Sequence, residues 1–383
     1  MVKTYKHHDV IRDISFTVAK SDFAVLIGPS GCGKTTILKM INRLLQPTSG
    51  TILINGEDIK TKNVFRLRRN IGYVIQSVGL FPHLTIRENI ELVPSLERRE
   101  RSARRGRREG RGPPEAAEKS IGERTAELLE LVGLAPEKYL DRYPVQLSGG
   151  QQQRVGVARA FALDPEIVLM DEPFSALDPI TREQLQDELS ELQARLRKTI
   201  VFVTHDMDEA IKLGNKICIV NKGRILQYDT PEAVLKNPVD EFVAKFVGKH
   251  RIWTAPELIH AEDIMIPTPV VAHKDATLLR CIETMHSRGV DSILIIDAAG
   301  RLEGALYAED AREPPDYRVP AGSVMRTVPY AASSRTSILE IIRRMKEMKA
   351  SAVPVVEDHG KLVGIITKSS LVTTLSSRYF EEA

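Results

Sequence analysis

Five short apolar runs organise the amino-terminal part of the chain: Phe23–Ile27, Ile71–Ile75, Glu166–Met170, Thr199–Val203 and Lys216–Val220. None alternates regularly with polar positions, so each predicts a strand buried on both faces. Between them the apolar spacing lengthens to three and four residues, which predicts helices with one inward stripe. The stripes are Ile37, Leu38, Ile41, Leu44 and Leu45; Leu128, Leu129, Leu131 and Val132; Val155, Val157, Ala158 and Ala160; and Ile180, Leu185, Leu189, Leu192 and Leu196. Strands alternating with helices in this way predict an α/β fold. Met1–Phe16, with Val10, Ile14, Phe16 and Val18 near alternation, predicts a sheet edge. His7 and His8 fall in a solvated turn and receive no role. Asn55-Gly56 is a turn, Asn221-Lys222-Gly223 predicts a hairpin, and Thr230-Pro231-Glu232 opens a helix.

The pattern fails over Leu96–Pro114, which is Arg-rich, lacks apolar periodicity and ends in Pro113-Pro114. It is expected to be an exposed, disordered insertion. Past a linker at Arg251–Pro256 the pattern repeats itself. Asp263-Ile264-Met265 and Ser323-Val324-Met325 each lead into a strand-like segment. A helix follows each, carrying Leu278, Leu279, Ile282 and Met285 in one copy and Ile338, Ile341, Ile342 and Met345 in the other. Apolar strands come next at Ser292–Asp297 and Ala352–Glu357, and Gly304-Ala305-Leu306 and Gly364-Ile365-Ile366 close the two units.

At 383 residues the chain has room for two or three cores. Net charge is +3, but Glu97–Arg111 alone contributes +5, leaving −2 elsewhere, so the globular remainder is not a nucleic-acid binder by composition. Cys32, Cys218 and Cys281 share no metal-ligand spacing, which points to a reducing compartment. No run approaches the roughly 20 apolar residues of a membrane span, and Met1–Tyr5 has no secretory apolar segment. Work at a membrane would therefore need a partner that crosses it.

Chemistry concentrates at strand ends. Gly28-Pro29-Ser30-Gly31-Cys32-Gly33-Lys34-Thr35-Thr36 follows the first buried strand and opens a helix near Lys34. The glycines let consecutive backbone N–H groups curl around phosphate oxygens, the helix start and Lys34 add positive charge, and Thr35 offers a hydroxyl to Mg²⁺. This complete spacing is a nucleotide phosphate loop. Gln76 ends the second strand, as a terminator or a metal ligand. Asp171-Glu172 end the third, where burying two carboxylates for packing alone would cost several kcal/mol. Beside a phosphate loop the first holds Mg²⁺ and the second accepts a proton from water. His205 ends the fourth strand. Ser148 caps the helix that begins at Gly149-Gly150-Gln151, a second anion-binding helix start.

These residues resemble the ATP-binding subunits of ABC transporters over nearly all of Met1–Gly248. Gly28–Thr35 resembles Walker A, Gln76 the Q-loop glutamine, Leu147–Gln151 the signature motif, and Ile167–Asp171 Walker B with Glu172 as catalytic base. Ser175–Asp178 resembles the D-loop, His205 the switch histidine and Tyr5 the aromatic that stacks on adenine. The resemblance implies a P-loop ATPase with a mixed sheet and a helical subdomain, acting as a head-to-tail homodimer. ATP and Mg²⁺ would lie on Gly28, Ser30, Gly31, Gly33, Lys34, Thr35, Thr36, Gln76 and Asp171 of one copy. Ser148, Gly149, Gly150, Gln151 and Asp178 would complete the site, the signature coming from the other copy. Gln76 and Ser77–Leu84 would form the groove for a permease coupling helix.

Ile71–Gln76, Gly79–His83, Tyr143–Arg154 and Thr204–Ala210 narrow the resemblance to importers of quaternary amines such as glycine betaine, carnitine and choline. That implies an integral-membrane permease, a solute-binding protein and a place on the cytoplasmic face of the membrane. The alternatives are an importer ATPase for a polyamine or amino acid, or a soluble ABC ATPase acting on nucleic acid. Two departures from the family pattern stand out: the strand before Tyr5 is expected to be missing, and the Arg-rich insertion 96–114 falls in the helical subdomain.

The repeat resembles a tandem CBS pair over 261–383, after a linker at 249–260. The nucleotide-binding ending of such modules is split here. The first copy has Asp310 but Tyr307 in the hydroxyl position, and the second has Thr367 but Ser370 in place of Asp. That weakens ordinary nucleotide binding and favours a sensor of ionic strength or of a cyclic dinucleotide, against a merely structural dimerisation domain.

Overall fold

Consecutive Val, Ile, Leu and Phe favour strands covered on both faces, and in the computed structural model the five apolar runs lie together in one sheet. The structure describes residues 1–5, 8–106, 116–175, 177–248, 251, 255–309 and 316–377. They form two units, Met1–Val247 and Gly248–Ala383.

The first unit begins with β1 (Val2–Tyr5), β2 (His8–Arg12), β3 (Phe23–Ile27), α1 (Lys34–Ile41), β4 (Leu53–Ile54), β5 (Glu57–Asp58), α2 (Val64–Arg69) and β6 (Ile71–Val74). Helices α3 (Ile86–Gly106), α4 (Ala116–Leu131), α5 (Pro136–Tyr139) and α6 (Gly149–Ala160) follow. The chain then returns to the sheet through β7 (Ile167–Asp171), α7 (Pro179–Leu196), β8 (Thr199–Thr204), α8 (Met207–Leu213), β9 (Lys216–Asn221), β10 (Arg224–Asp229), α9 (Pro231–Lys236) and α10 (Glu241–Val247).

The six-stranded sheet has the order β10-β9-β3-β8-β7-β6, parallel except for β10. Alternate residues feed two cores. Val25, Ile27, Val168, Met170 and Phe202 enter one, and Leu26, Leu169, Val201 and Val203 the other. Because β3, β6, β7 and β8 run the same way, the residues that follow them collect along one edge of the sheet. Helices α3, α4 and α6 pack on one another, and α6 also packs on β6, sharing one core with the sheet.

Several expectations change. Met1–Phe16 joins no large sheet: β1 and β2 form their own antiparallel hairpin, and Tyr5 ends a strand rather than lacking one. Helix α1 stops at Ile41, and Leu44 is exposed. Leu185, Leu189 and Leu192 of α7 are buried, but Ile180 is 71% exposed because the first turn of the helix overhangs solvent. Leu96–Gly106 is helix, not loop: α3 continues through it. Arg and Glu are strong helix formers without any apolar stripe, and Arg69 grips Glu100 through two bonds of 2.7 and 2.8 Å. Residues 107–115 lie outside the described residues, as do His7 and Asp310.

The second unit comprises α11 (Ala261–Ile264), β11 (Val271–His273), α12 (Leu278–Arg288), β12 (Ser292–Ile296), β13 (Leu302–Tyr307), β14 (Ala332–Ser333), α13 (Ile338–Glu347), β15 (Ala352–Val356), β16 (Leu362–Thr367) and α14 (Lys368–Ser377). It contains two three-stranded sheets of the same topology, β11-β12-β13 and β14-β15-β16, each with its own core. Leu279 and Ile342 of the predicted stripes face outward. Thr367 and Ser370 exchange side chain-to-backbone bonds of 2.9 and 3.0 Å, so both hydroxyl residues are engaged in opening α14.

Candidate functional site

The loop between β3 and α1 is shaped by close contact. A Cβ on Gly28 would sit 1.9 Å from the Val220 carbonyl oxygen, and one on Gly33 2.4 Å from Ile11 Cδ1. The loop is thus seated on β9 and on the β1–β2 hairpin that carries Tyr5. Ser30 and Gly31 are exposed at its tip, Thr36 is half-buried, and Lys34 is buried with Nζ on the carbonyls of Gly28 (2.6 Å) and Pro29 (3.2 Å). Tyr5 is 43% exposed, with Lys3 Nζ 4.9 Å from its ring centre.

The parallel sheet brings the other strand-end residues beside this loop. Thr35 Oγ1 donates to Asp171 Oδ1 at 2.9 Å. Asp171 is only 4% exposed. Burial lifts its carboxyl above the ordinary value, the Thr35 bond opposes the rise, and the Glu172 charge adds to it. Glu172 follows in a left-handed conformation (φ 46°) and donates its N–H to the Val203 carbonyl at 3.0 Å. A non-glycine residue held there costs on the order of 1 kcal/mol, and such strain clusters at functional sites. Gln76 Nε2 donates to Glu172 Oε2 at 3.1 Å, and His205 Nδ1 lies 3.5 Å from the same oxygen. The His205 side chain is 60% exposed. Gln76, Glu172 and His205 therefore meet at one carboxylate, next to the Thr35–Asp171 pair.

The hydroxyl of Thr35 and the carboxylate of Asp171 are hard oxygen donors that fit Mg²⁺, an ion which completes its shell with water and substrate phosphate rather than with a full protein cage. Among the described residues no group of three or more His, Cys, Asp or Glu is assembled for a metal.

Ser148 and Gln151 form a capping box: Ser148 Oγ accepts the Gln151 N–H at 3.3 Å and Gln151 Oε1 accepts the Ser148 N–H at 3.0 Å. Ser148 and Gly149 are exposed, and no hydrogen bond or ion pair among the described residues joins this helix start to the phosphate loop. A Cβ on Gly150 would meet Thr181 Cγ2 at 3.0 Å and Leu177 Cδ2 at 3.4 Å, so the motif abuts the turn that opens α7. Asp178 is that helix's N-cap, and its bond from Thr181 N–H (3.0 Å) holds its carboxyl low.

Three groups that brace the site carry no motif and have no role in the sequence analysis. Arg159 of α6 donates to the carbonyls of Gly79 (2.7 Å) and Val78 (3.0 Å), fixing the turn after Gln76. Glu209 and Arg182 contact the neighbours of His205, Glu209 accepting from Thr204 and Arg182 facing Asp206. Each is a charged residue on a helix, where periodicity alone predicts solvent exposure. No helix among the described residues is long and apolar enough to cross a membrane.

The family model for ABC transporters matches residues 11–175, and the CBS domain model matches 261–313 and 321–377. The chain is 46% identical to the glycine betaine/carnitine/choline transport ATP-binding protein OpuCA of Bacillus subtilis, over 97% of this chain and 93% of that one. It is 38% identical to the osmoprotectant import ATP-binding protein OsmV of Salmonella typhimurium, over 96% and 91%. Among solved structures, a dimeric ATP-binding cassette in a post-hydrolysis state with ADP and Pi matches 60% of this chain and 96% of its own, at 34% identity and a TM-score of 0.51. With a phosphate loop, a carboxylate pair and both family models in sequence order, this chain belongs to the ABC transporter family as an ATP-binding protein, followed along the chain by a pair of CBS domains.

Proposed function

We propose that the chain is the ATP-hydrolysing subunit of an importer for quaternary ammonium solutes of the glycine betaine, carnitine and choline type. The observation that carries the reading is the meeting of Gln76, Glu172 and His205 at one carboxylate beside the Thr35–Asp171 pair. The solute class is supported by a relative of nearly full length, OpuCA of Bacillus subtilis, whose name carries it.

In this reading the loop amides from Gly28 to Gly33, with Ser30, Gly31 and Thr36, cradle the ATP phosphates, and Lys34 leaves the Gly28 carbonyl for a phosphate oxygen. Tyr5 stacks on the adenine. Thr35, Asp171 and Gln76 hold Mg²⁺, which supplies charge neutralisation on the phosphates. Glu172 Oε2 takes the proton of the attacking water, Gln76 orients that water, and His205 contacts the γ-phosphate. Two copies pair head to tail, so that Ser148, Gly149, Gly150 and Gln151 of one cover ATP on the other, with Asp178 at the seam. The capping box supports this, since Ser148 and Gln151 hold a rigid helix start toward solvent. A permease and a solute-binding protein supply membrane passage and recognition, placing the chain peripherally on the cytoplasmic face. The CBS pair senses ionic strength or a cyclic dinucleotide. An open groove of about 410 Å³ beside β11 and α12 is lined by His273, Asp275, Arg280 and Thr284.

The test is reconstitution of the chain with its permease and binding protein in vesicles. Glycine betaine or choline is expected to raise ATP hydrolysis several-fold, whereas putrescine and neutral amino acids leave it at the basal rate. Stimulation by the latter and not by a quaternary amine would contradict the assignment.

A further inference from the structure

Glu209 is a buried carboxylate, 6% exposed, in the first turn of α8. Thr204 Oγ1 donates to its Oε2 at 2.6 Å, and its Oε1 lies 3.5 Å from Gln186 Nε2 and 3.9 Å from Arg182 Nε. Thr204 is itself buried, and its Oγ1 accepts the Asp206 N–H at 3.0 Å. The hydroxyl proton is thereby free for Glu209, so one carboxylate secures the residues on both sides of His205. Arg182, on the first turn of α7, donates through Nη2 to the Leu177 carbonyl at 3.1 Å and faces Asp206 Oδ2 through Nη1 at 3.9 Å. Its Nε is buried without a hydrogen bond, and the nearest carboxylate to it is Glu209.

This arrangement is costly. Burial pushes the Glu209 carboxyl above its ordinary value despite the Thr204 bond, and an apolar side chain of similar volume would avoid that penalty. What the charge adds is direction. His205 is mostly exposed, with Glu172 Oε2 3.5 Å from its Nδ1, so little at its own tip holds it in place. Its backbone position is set from below, through Thr204 and Asp206.

We propose that Glu209 and Arg182 are positioning residues for His205: together they clamp the Thr204–Asp206 turn and tie it to the Leu177 carbonyl at the start of α7. The inference rests on the reading of His205 as a group that contacts the γ-phosphate. A misplacement of about 1 Å in such a group costs on the order of 10²-fold in turnover, and loosening rather than removing the clamp should cost less.

The experiment is steady-state ATP hydrolysis by the purified full-length chain. Glu209→Gln and Arg182→Met are expected to lower kcat about tenfold, with KM for ATP within about twofold of wild type, because neither side chain lies at the phosphate loop. Thr204→Val should lose a similar factor while Thr204→Ser, which keeps the hydroxyl, retains at least half of wild-type kcat. The threonine series decides the matter even if a charge variant folds poorly. Wild-type kcat in Thr204→Val overturns the proposal, as does a loss shared equally by Thr204→Val and Thr204→Ser. His205→Ala separates the two levels. If it is inactive while Glu209→Gln and Thr204→Val are fully active, only the positioning role fails; if His205→Ala turns over normally, the role of His205 fails and the clamp with it.

Discussion

Thr35 Oγ1 donates a 2.9 Å hydrogen bond to Asp171 Oδ1, joining the phosphate loop to the strand end 136 residues later. The bond fixes both oxygens before nucleotide arrives, but it leaves a carboxylate buried next to Glu172. Such a site is organised for a cation at the expense of the empty protein.

The pH dependence follows. Burial raises the Asp171 carboxyl, so the folded protein holds that proton more tightly than the unfolded chain does. The group's contribution is fully present below the ordinary carboxylate value and is lost as pH rises through the raised one. Asp171→Asn removes this loss while keeping an oxygen for Thr35. At neutral pH the nucleotide-free variant is expected to be more stable by on the order of 1 kcal/mol, and to lose the extra stabilisation that Mg²⁺-ATP gives the wild type. Thermal melts with and without Mg²⁺-ATP check both. A lower melting temperature in the empty variant contradicts the cost assigned to this carboxylate.

Glu172→Gln keeps the shape of the side chain and the contacts of Gln76 and His205, but removes the proton acceptor. Phosphate release is expected to fall by at least about 10²-fold, while ATP binding persists and dimer accumulates. Light scattering with ATP reads the dimer. Wild-type turnover in this variant contradicts the role of Glu172 as base.

The loop glycines separate sterics from conformation. Gly28→Ala drives a Cβ to 1.9 Å from the Val220 carbonyl, whereas Gly31 (φ 78°) has nothing within 4 Å of its Cβ position. Gly28→Ala is expected to cost about 3 kcal/mol or to prevent folding, and Gly31→Ala only about 1 kcal/mol from its left-handed backbone. Chemical denaturation of the two variants checks the order; equal losses would contradict the seating of the loop on β9.

The phosphate loop was legible because local rules decide it: glycines where a Cβ has no room, a lysine and threonine at a helix start, and a fully apolar strand before them. The same holds for Asp171, Glu172 and His205, each a polar residue after an apolar run. Glu209, Arg182 and Arg159 were not legible. Nothing in their spacing separates a charge engaged by hydrogen bonds within the fold from a solvated one. Ile180 failed for the converse reason, being apolar and in register on a turn that nothing covers. The helix through Leu96–Gly106 was hidden because its formers are charged, and propensity leaves no apolar period to detect.

The most direct measurement is uptake of labelled glycine betaine or choline by cells that depend on this subunit and its permease, comparing wild type with Lys34→Ala. In the wild type Lys34 Nζ rests on the Gly28 carbonyl at 2.6 Å, ready to be drawn onto a phosphate. Without it, accumulation is expected to fall to the level of cells lacking the subunit, with the variant protein still present at normal abundance. Undiminished accumulation in Lys34→Ala would contradict the claim that ATP held on this loop powers import.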